Sequence, residues 1–256
     1  MLTRVDATRY VTPLREGGSL PALVEACDLG TYVMKFHGAG QGVRVLAAEV
    51  IVAGLARRLQ LRVPDLVALS LSPAIARYEP DEEVQDLLNA SLGLNLGVDF
   101  LPGSFGFDAH SRIPEREAAA ILWLDAFVAN VDRSWRNPNL LMWHGRVWCI
   151  DHGAALYFHH AWPQAIGAPE AFAAQPYDVS DHVLRASAAA ARRLDASLAA
   201  AITPDALDAA TADVPDEWLP PLPGAPAPAE QRRLYVEFLT ARLAHRDAWL
   251  PGGALP

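Results

Sequence analysis

The sequence lacks any apolar run long enough to cross a bilayer. Its longest, such as Val50–Ala56 and Ala118–Leu124, are seven residues, against the roughly 18 a spanning helix needs. Met1-Leu2-Thr3-Arg4-Val5-Asp6 has no apolar h-region, so the chain reads as cytoplasmic, with no membrane partner. Cysteine is scarce: Cys27 and Cys149 are too few for a disulfide framework or a thiolate zinc site. Positive charge is in short supply as well, 21 basic residues against 30 acidic for a net charge of −9, which argues against a nucleic-acid or anionic-membrane surface. Scarcest of all is lysine. Twenty of the 21 basic residues are arginine, and the lone Lys35 stands inside an apolar stretch.

What is present is ordinary globular composition: 256 residues, 52% hydrophobic and 20% charged. That length allows one large domain or two small ones and a full core without metal or disulfide staples. Residues 1–102 read as a β-rich part with one good helix. Pro21–Ala26 and Thr31–Phe36 flank Asp28-Leu29-Gly30 as a hairpin. Arg15–Ser19 is a glycine turn ahead of it, and Gly38-Ala-Gly-Gln-Gly42 leads into an apolar helix over Val43–Leu59. Leu66–Leu71 and Leu94–Leu101 read as strands, and Pro80-Asp-Glu-Glu opens a short helix with proline and acids in its first turn. Residues 103–256 turn helical. A helix starts at Pro114 and runs to about Ala129, followed by a polar loop at 130–139 and a hairpin turning at His144-Gly145. Helices are expected at about 178–202 and 229–249, separated by an extended connector at Pro220–Pro228. Trp123, Phe127, Trp148 and Trp162 read as core, and Asp178, Asp181 and His182 as the start of a helix.

Three features carry chemistry. In Tyr32-Val-Met-Lys-Phe36, alternation sets Val33 and Lys35 on one face and Tyr32, Met34 and Phe36 on the other. Lys35 reads either as an edge-strand charge that discourages aggregation or as a compact ammonium that meets a phosphate oxygen and a carboxylate together. A buried lysine needs a carboxylate partner; Glu49, in the apolar helix that follows, is one and Glu25 its rival. The second feature is Asn130-Val-Asp-Arg-Ser-Trp-Arg-Asn-Pro-Asn139, which gathers Asp132, Asn137 and Asn139. It is a polar turn, or an aspartate that accepts a proton followed five residues on by an asparagine whose oxygen suits Mg²⁺. The third is Val147-Trp-Cys-Ile-Asp-His-Gly153: an Asp151 at a strand end is well placed to hold a cation, or is a simple turn, with Gly153 supplying the sharp bend.

The order of these parts is more specific than any one of them: a lysine strand, a glutamate helix, Asp-x4-Asn, a hairpin and a strand-end Asp-x-Gly form the part list of protein-kinase-type phosphoryl transfer. With Gly-Gly-Ser19, Val-Met-Lys-Phe36, Gly-Ala-Gly-Gln-Gly42 and Glu49, Asn-Val-Asp-Arg133, Arg-Asn-Pro-Asn139 and Ile-Asp-His-Gly153, the sequence resembles the HipA-like kinase family over about residues 10–160. The resemblance implies an α+β, two-lobed protein-kinase-like fold, with residues 1–102 as the β-rich N-lobe and 103–256 as the helical C-lobe. It implies ATP and Mg²⁺ as cofactors. Lys35, held by Glu49, would contact the α- and β-phosphates, with Gly17, Gly18 and Ser19 near them. Asp132 would orient and deprotonate an acceptor hydroxyl, Asn137 and Asp151 would ligate Mg²⁺, and the strand Asn95–Leu101 would offer its backbone to the adenine. The acceptor is a Ser or Thr of a protein or a small-molecule hydroxyl. The sequence departs from protein kinases in its short Gly-Gly-Ser loop, in Asn130-Val131-Asp132 for His-Arg-Asp, and in Asp151-His152-Gly153 for Asp-Phe-Gly.

Other readings are a pseudokinase that binds nucleotide or a partner without transfer, dinucleotide binding at Gly38-x-Gly40-x-Gly42, and a metallohydrolase built on His152, His159 and His160 with Asp151. Retention of Lys35, Asp132, Asn137 and Asp151 together counts against the first, and wrong spacing against the others. Lys35→Arg is the change this sequence tolerates everywhere else. It is expected to abolish phosphoryl transfer while shifting the melting temperature little, and full activity in that variant would reduce Lys35 to a structural charge.

Overall fold

The computed structural model describes residues 1–14, 20–40, 42–76, 80–108, 110–162 and 166–251. It divides into two units. The first comprises Met1–Ala47, Pro64–Pro102 and Val214–Leu219, and the second Ala48–Val63, Gly103–Asp213 and Pro220–Pro256.

The first unit is built on strands β1 (Thr3–Pro13), β2 (Ala22–Ala26), β3 (Thr31–Lys35), β4 (Leu66–Leu71) and β5 (Gly93–Asp99), which close into a barrel in the order β1-β2-β3-β5-β4. All pairs are antiparallel except β1 with β4. Strict alternation puts Val24, Tyr32, Met34, Phe36 and Leu69 inside. The β2–β3 turn is fixed by Asp28, whose carboxylate accepts the Gly30 N–H at 2.9 Å and the Tyr32 hydroxyl at 2.7 Å. Lys35 shares the outward face with Val33 and is half-buried. Because β3 lies between β2 and β5 in a closed barrel, Lys35 is not an edge-strand residue, and the aggregation-guard reading fails. Its rival carboxylate, Glu25, is engaged elsewhere: it takes a two-pronged ion pair from Arg9 on β1.

Helices α1 (Arg44–Arg58) and α3 (Glu82–Ala90) form where the sequence reads them, and a short α2 (Pro73–Ala76), which it does not, follows β4. Pro80 is outside α3; Asp81 caps it, accepting the Glu83 and Val84 N–H groups. The long β1 escapes sequence reading because only Val5 and Ala7 of its 11 residues turn fully inward. The backbone of β5 is paired on both sides, and the Asp99 and Phe100 N–H groups donate to Asp65 and Thr31 carbonyls. Gly17, Gly18 and Ser19 lie outside the described residues. The strands on either side of α1 close into one barrel, antiparallel except for β1 with β4, rather than a doubly wound parallel sheet, which removes the dinucleotide reading. Residues 214–219 join this unit from far along the chain: buried Trp218 donates its indole N–H to the Leu94 carbonyl at 3.1 Å.

The second unit is organised around α4 (Glu115–Val128), whose residues are buried from Ala118 onward. It also holds a sheet of β6 (Phe105–Gly106), β7 (Leu140–Trp143) and β8 (Arg146–Cys149). The β7–β8 turn takes positive φ at His144 and Gly145, the geometry of a tight hairpin. Helices α5 (Pro169–Ala173), α6 (Ala188–Ala201), α7 (Pro204–Ala212), α8 (Pro228–Ala244) and α9 (Arg246–Trp249) complete it. The expected helix from about 178 starts only at Ala188, so Asp178, Asp181 and His182 belong to a loop. The expected helix at 229–249 is broken at His245. The proline-rich connector contributes to the core after all: Leu222 and Ala225 are buried and bridged to each other. Trp123, Phe127 and Trp162 are core, whereas Trp148 is half-buried against Trp143.

One arginine fastens three of these elements. The Arg242 guanidinium, buried in α8, donates to the carbonyls of Ala126 and Phe127 at the end of α4 (both 2.9 Å). It also reaches Phe172 and Gln175 at α5 (both 2.8 Å). A helix leaves its last carbonyls without partners, and this fork supplies them, although burial lowers its pKa to about 10. Arg242→Lys keeps a charge but cannot reach four carbonyls. It is expected to destabilise the chain by about 2–4 kcal/mol, read as a lower denaturant midpoint; an unchanged midpoint would show that the fork is dispensable.

Candidate active site

All the side chains described next belong to the second unit. From Ala118 onward helix α4 is apolar apart from Asp125, a carboxylate with no exposure. The chain leaves α4 through Ala129 in the left-handed region (φ 53°) and enters the 130–139 loop. Asp125 organises that loop. Its Oδ1 accepts the Asn130 amide at 2.9 Å, and its Oδ2 accepts Arg133 Nε at 2.6 Å and His182 Nε2 at 3.1 Å. The Leu184 N–H donates to His182 Nδ1, so it is Nε2 that donates to Asp125. Burial alone would raise the Asp125 pKa. The Arg133 charge and the His182 hydrogen bond outweigh it and hold the carboxyl at about 2. Burial likewise works against the Arg133 charge, and Asp125 outweighs it in turn, so the guanidinium stays above its ordinary value.

Arg133 carries this order outward. Its Nη1 donates to the Asn139 carbonyl and reaches those of Pro138 and Ile150 (3.4 Å each), while Nη2 meets His152 Nδ1 at 3.2 Å. The turn that begins the Asp151-His152-Gly153 stretch is thereby tied to the 130–139 loop. Asp151 itself is exposed and takes the left-handed conformation (φ 54°), a role the sequence assigned to Gly153. From the other side, buried Glu49 accepts the His152 backbone N–H at 2.9 Å. Glu49 is thus part of the support of this turn, a contact that spacing did not reveal.

Asp132 is half-buried at the centre. Its N–H donates to Asn130 Oδ1 at 3.2 Å, and its Oδ2 accepts the side-chain amides of Asn137 (2.9 Å) and Asn139 (3.0 Å). Asp132, Asn137 and the Asp151 turn are therefore held by one network, while Lys35 belongs to the first unit. Three supports went unread: Asp125, Arg133 and His182. Asp125 had a signal, since an acid inside an otherwise apolar helix must have partners; His182 lies 57 residues beyond it and had none.

The alternative histidine metal site is not formed. Among the described residues, no three His, Cys, Asp or Glu side chains converge to hold a metal. Arg133 meets His152, and buried His159 meets the Tyr235 hydroxyl at 2.9 Å. Cys149 is no nucleophile, because burial pushes its thiol up to about 12.

Among solved structures, the chain is similar to the crystal structure of the Helicobacter pylori proinflammatory kinase CtkA. The TM-score is 0.57 at 11% identity, over 93% of this chain and 90% of that chain. This likeness shows a kinase-type mixed α/β fold and nothing finer. The profile of the HipA-like kinase family matches residues 8–250, and the chain belongs to that family. A golgi casein kinase structure matches more loosely, with a TM-score of 0.42 at 14% identity over 96% of this chain and 74% of that chain. No curated protein matches.

Asp125 makes the site's stability acid-sensitive. Its folded pKa of about 2 lies below the ordinary 3.8. Its contribution, roughly 2 kcal/mol, is therefore fully present above pH 4 and drains away as the pH falls through 2. Asp125→Asn leaves Arg133 buried without its counter-charge. We expect a loss of about 3–5 kcal/mol at pH 7 and a flatter stability profile between pH 4 and 2, both measurable by urea unfolding. A variant as stable as the parent would deny the pair its structural role.

Proposed function

We propose that the protein is an ATP-dependent phosphotransferase that moves the γ-phosphoryl group of Mg-ATP to a hydroxyl, a Ser or Thr of a protein. The observation that carries this reading is the Asp132 carboxylate, half-buried and held on one oxygen by two asparagine amides. A carboxylate so oriented suits the task of aligning an acceptor hydroxyl and taking its proton.

The donor set fits a magnesium nucleotide. Asn137 is exposed, so its amide can turn its oxygen to a hard cation, and Asp151 is an exposed carboxylate. Mg²⁺ takes one or two such ligands and completes its shell with water and phosphate oxygens. Asn137 and Asp151 would hold it. When bound, the Mg-nucleotide supplies the electrophilic phosphoryl group. Lys35 would neutralise the α- and β-phosphates. Catalysis is then mostly positioning and charge neutralisation, which asks little covalent chemistry of the protein.

The test is incubation with labelled ATP and host-cell extract, comparing wild type with Asp132→Asn. Wild type should label an acceptor, the variant should lose transfer by about 10²–10⁴-fold, and millimolar Mg-ATP should raise the melting temperature of both. Absence of any thermal shift would remove the nucleotide reading. A shift with no labelled product from either protein would make the chain a pseudokinase.

A further inference from the structure

Asp132 has two asparagine partners, and they differ in kind. Asn137 is exposed on the loop. Asn139 is more than nine-tenths buried, at 8% exposure. The Asn139 backbone is in the left-handed region (φ 48°), and its carbonyl accepts both the Arg133 guanidinium and the Ile150 N–H (3.1 Å). Its amide therefore approaches Asp132 from a fixed frame. The Asn137 side chain is pinned by nothing comparable: its backbone N–H donates to Ser134 Oγ at 3.2 Å, and its side chain stands in solvent.

We infer that Asn139 is a positioning residue, the permanent clamp on the Asp132 carboxylate, and that Asn137 is the exchangeable one. The inference rests on the phosphotransferase reading for its consequence, but its geometry does not. A carboxylate held by a single mobile amide would lose its orientation whenever that amide turned toward a cation. With both amides on Oδ2, Asn137 can turn its oxygen to Mg²⁺ while Asn139 keeps Asp132 aimed, leaving Oδ1 for the acceptor hydroxyl. The Asp-x4-Asn spacing thus understates the loop: its working form here is Asp-x4-Asn-x-Asn, with the last residue inside the protein.

The informative substitution is Asn139→Gly. Glycine adopts positive φ freely, so the backbone and its carbonyl contacts with Arg133 and Ile150 persist while only the side-chain donor is deleted. Misaiming a catalytic group by about 1 Å can cost about a hundredfold. We therefore expect kcat to fall by about ten- to a hundredfold, with the KM for Mg-ATP and the melting temperature near those of wild type. A second measurement needs no activity. In nucleotide-free protein, the side-chain NH₂ resonances of Asn139 should move on Asp132→Ala. On adding Mg-ADP to wild type, those of Asn137 should shift while those of Asn139 stay. An active Asn139→Gly with wild-type kcat, or Asn139 resonances indifferent to Asp132→Ala, overturns the clamp. Wild type that labels no acceptor while the Asn139 resonances do respond to Asp132→Ala overturns the phosphotransferase reading and leaves the clamp standing.

Discussion

The site hangs on one buried ion pair. Asp125 and Arg133 have almost no exposure, and neither is affordable alone: a lone buried carboxylate would take up a proton, and a lone guanidinium would have to be drawn out to water. Paired, they convert a structural obligation into reach. Asp125 has three donors and Arg133 has acceptors on both sides of the hairpin, so the pair fixes the 130–139 loop, the end of β8 and the ring of His152 at once. The half-buried Asp132 is the beneficiary. It makes no ion pair with Arg133, its neighbour in sequence, which points inward while Asp132 stays accessible. Adjacent residues on a loop that lacks helical or strand periodicity have been assigned opposite tasks, one to hold and one to act.

The composition takes on a physical meaning here. Arg133 and Arg242 are both almost wholly buried, and each serves several acceptors with one planar group. A guanidinium is weakly hydrated and presents five donors in a fixed fork; an ammonium is a strongly hydrated point charge. A chain that spells its positive charge as arginine can bury some of it as mortar between loop carbonyls. Against that background a half-buried lysine on an inner strand of a closed barrel is a different instrument, a compact charge rather than a planar fork.

Much of the fold was legible because it follows from local rules. The hairpin at Asp28, the strand Leu66–Leu71, helix α4 and the His144-Gly145 turn all follow from alternation, 3.6-residue periodicity or turn chemistry acting over a few residues. What escaped depends on distant partners. β1 pairs with β4, some 60 residues away, and shows little apolar patterning of its own. Residues 214–219 bury Trp218 against a carbonyl 124 residues earlier. The expected helix from about 178 opens on poor helix formers up to Val183, and His182 among them is drawn off to Asp125. At the site, Asp132, Asn137 and Asp151 were legible as types in order. The means by which they are aimed were not, because Arg133, His182 and Asn139 act through contacts that no spacing encodes.

Backbone conformation points the same way. Between residues 129 and 156, five non-glycine residues take positive φ: Ala129, Asn139, His144, Asp151 and Leu156. His144 belongs to a hairpin turn that favours it. The others sit at the end of α4, at the clamp, at the Asp151 turn and before the 3-10 turn at Tyr157–Ala161. Asparagine and aspartate bear this conformation well, alanine and leucine less so, and each persists only where surrounding contacts over-determine it. Those contacts are present. Asn130 N–H bonds to the Asp125 carbonyl, Asn139 is held from two sides, and Leu156 N–H bonds to the Val128 carbonyl at 2.9 Å. The strain is thus concentrated where Asp132 and Asp151 are displayed and is held there by the apolar helix beneath. Local propensity favours ordinary turns here; the buried pair, through Arg133, bonds the carbonyls of Asn139 and Ile150 that flank these displayed carboxylates.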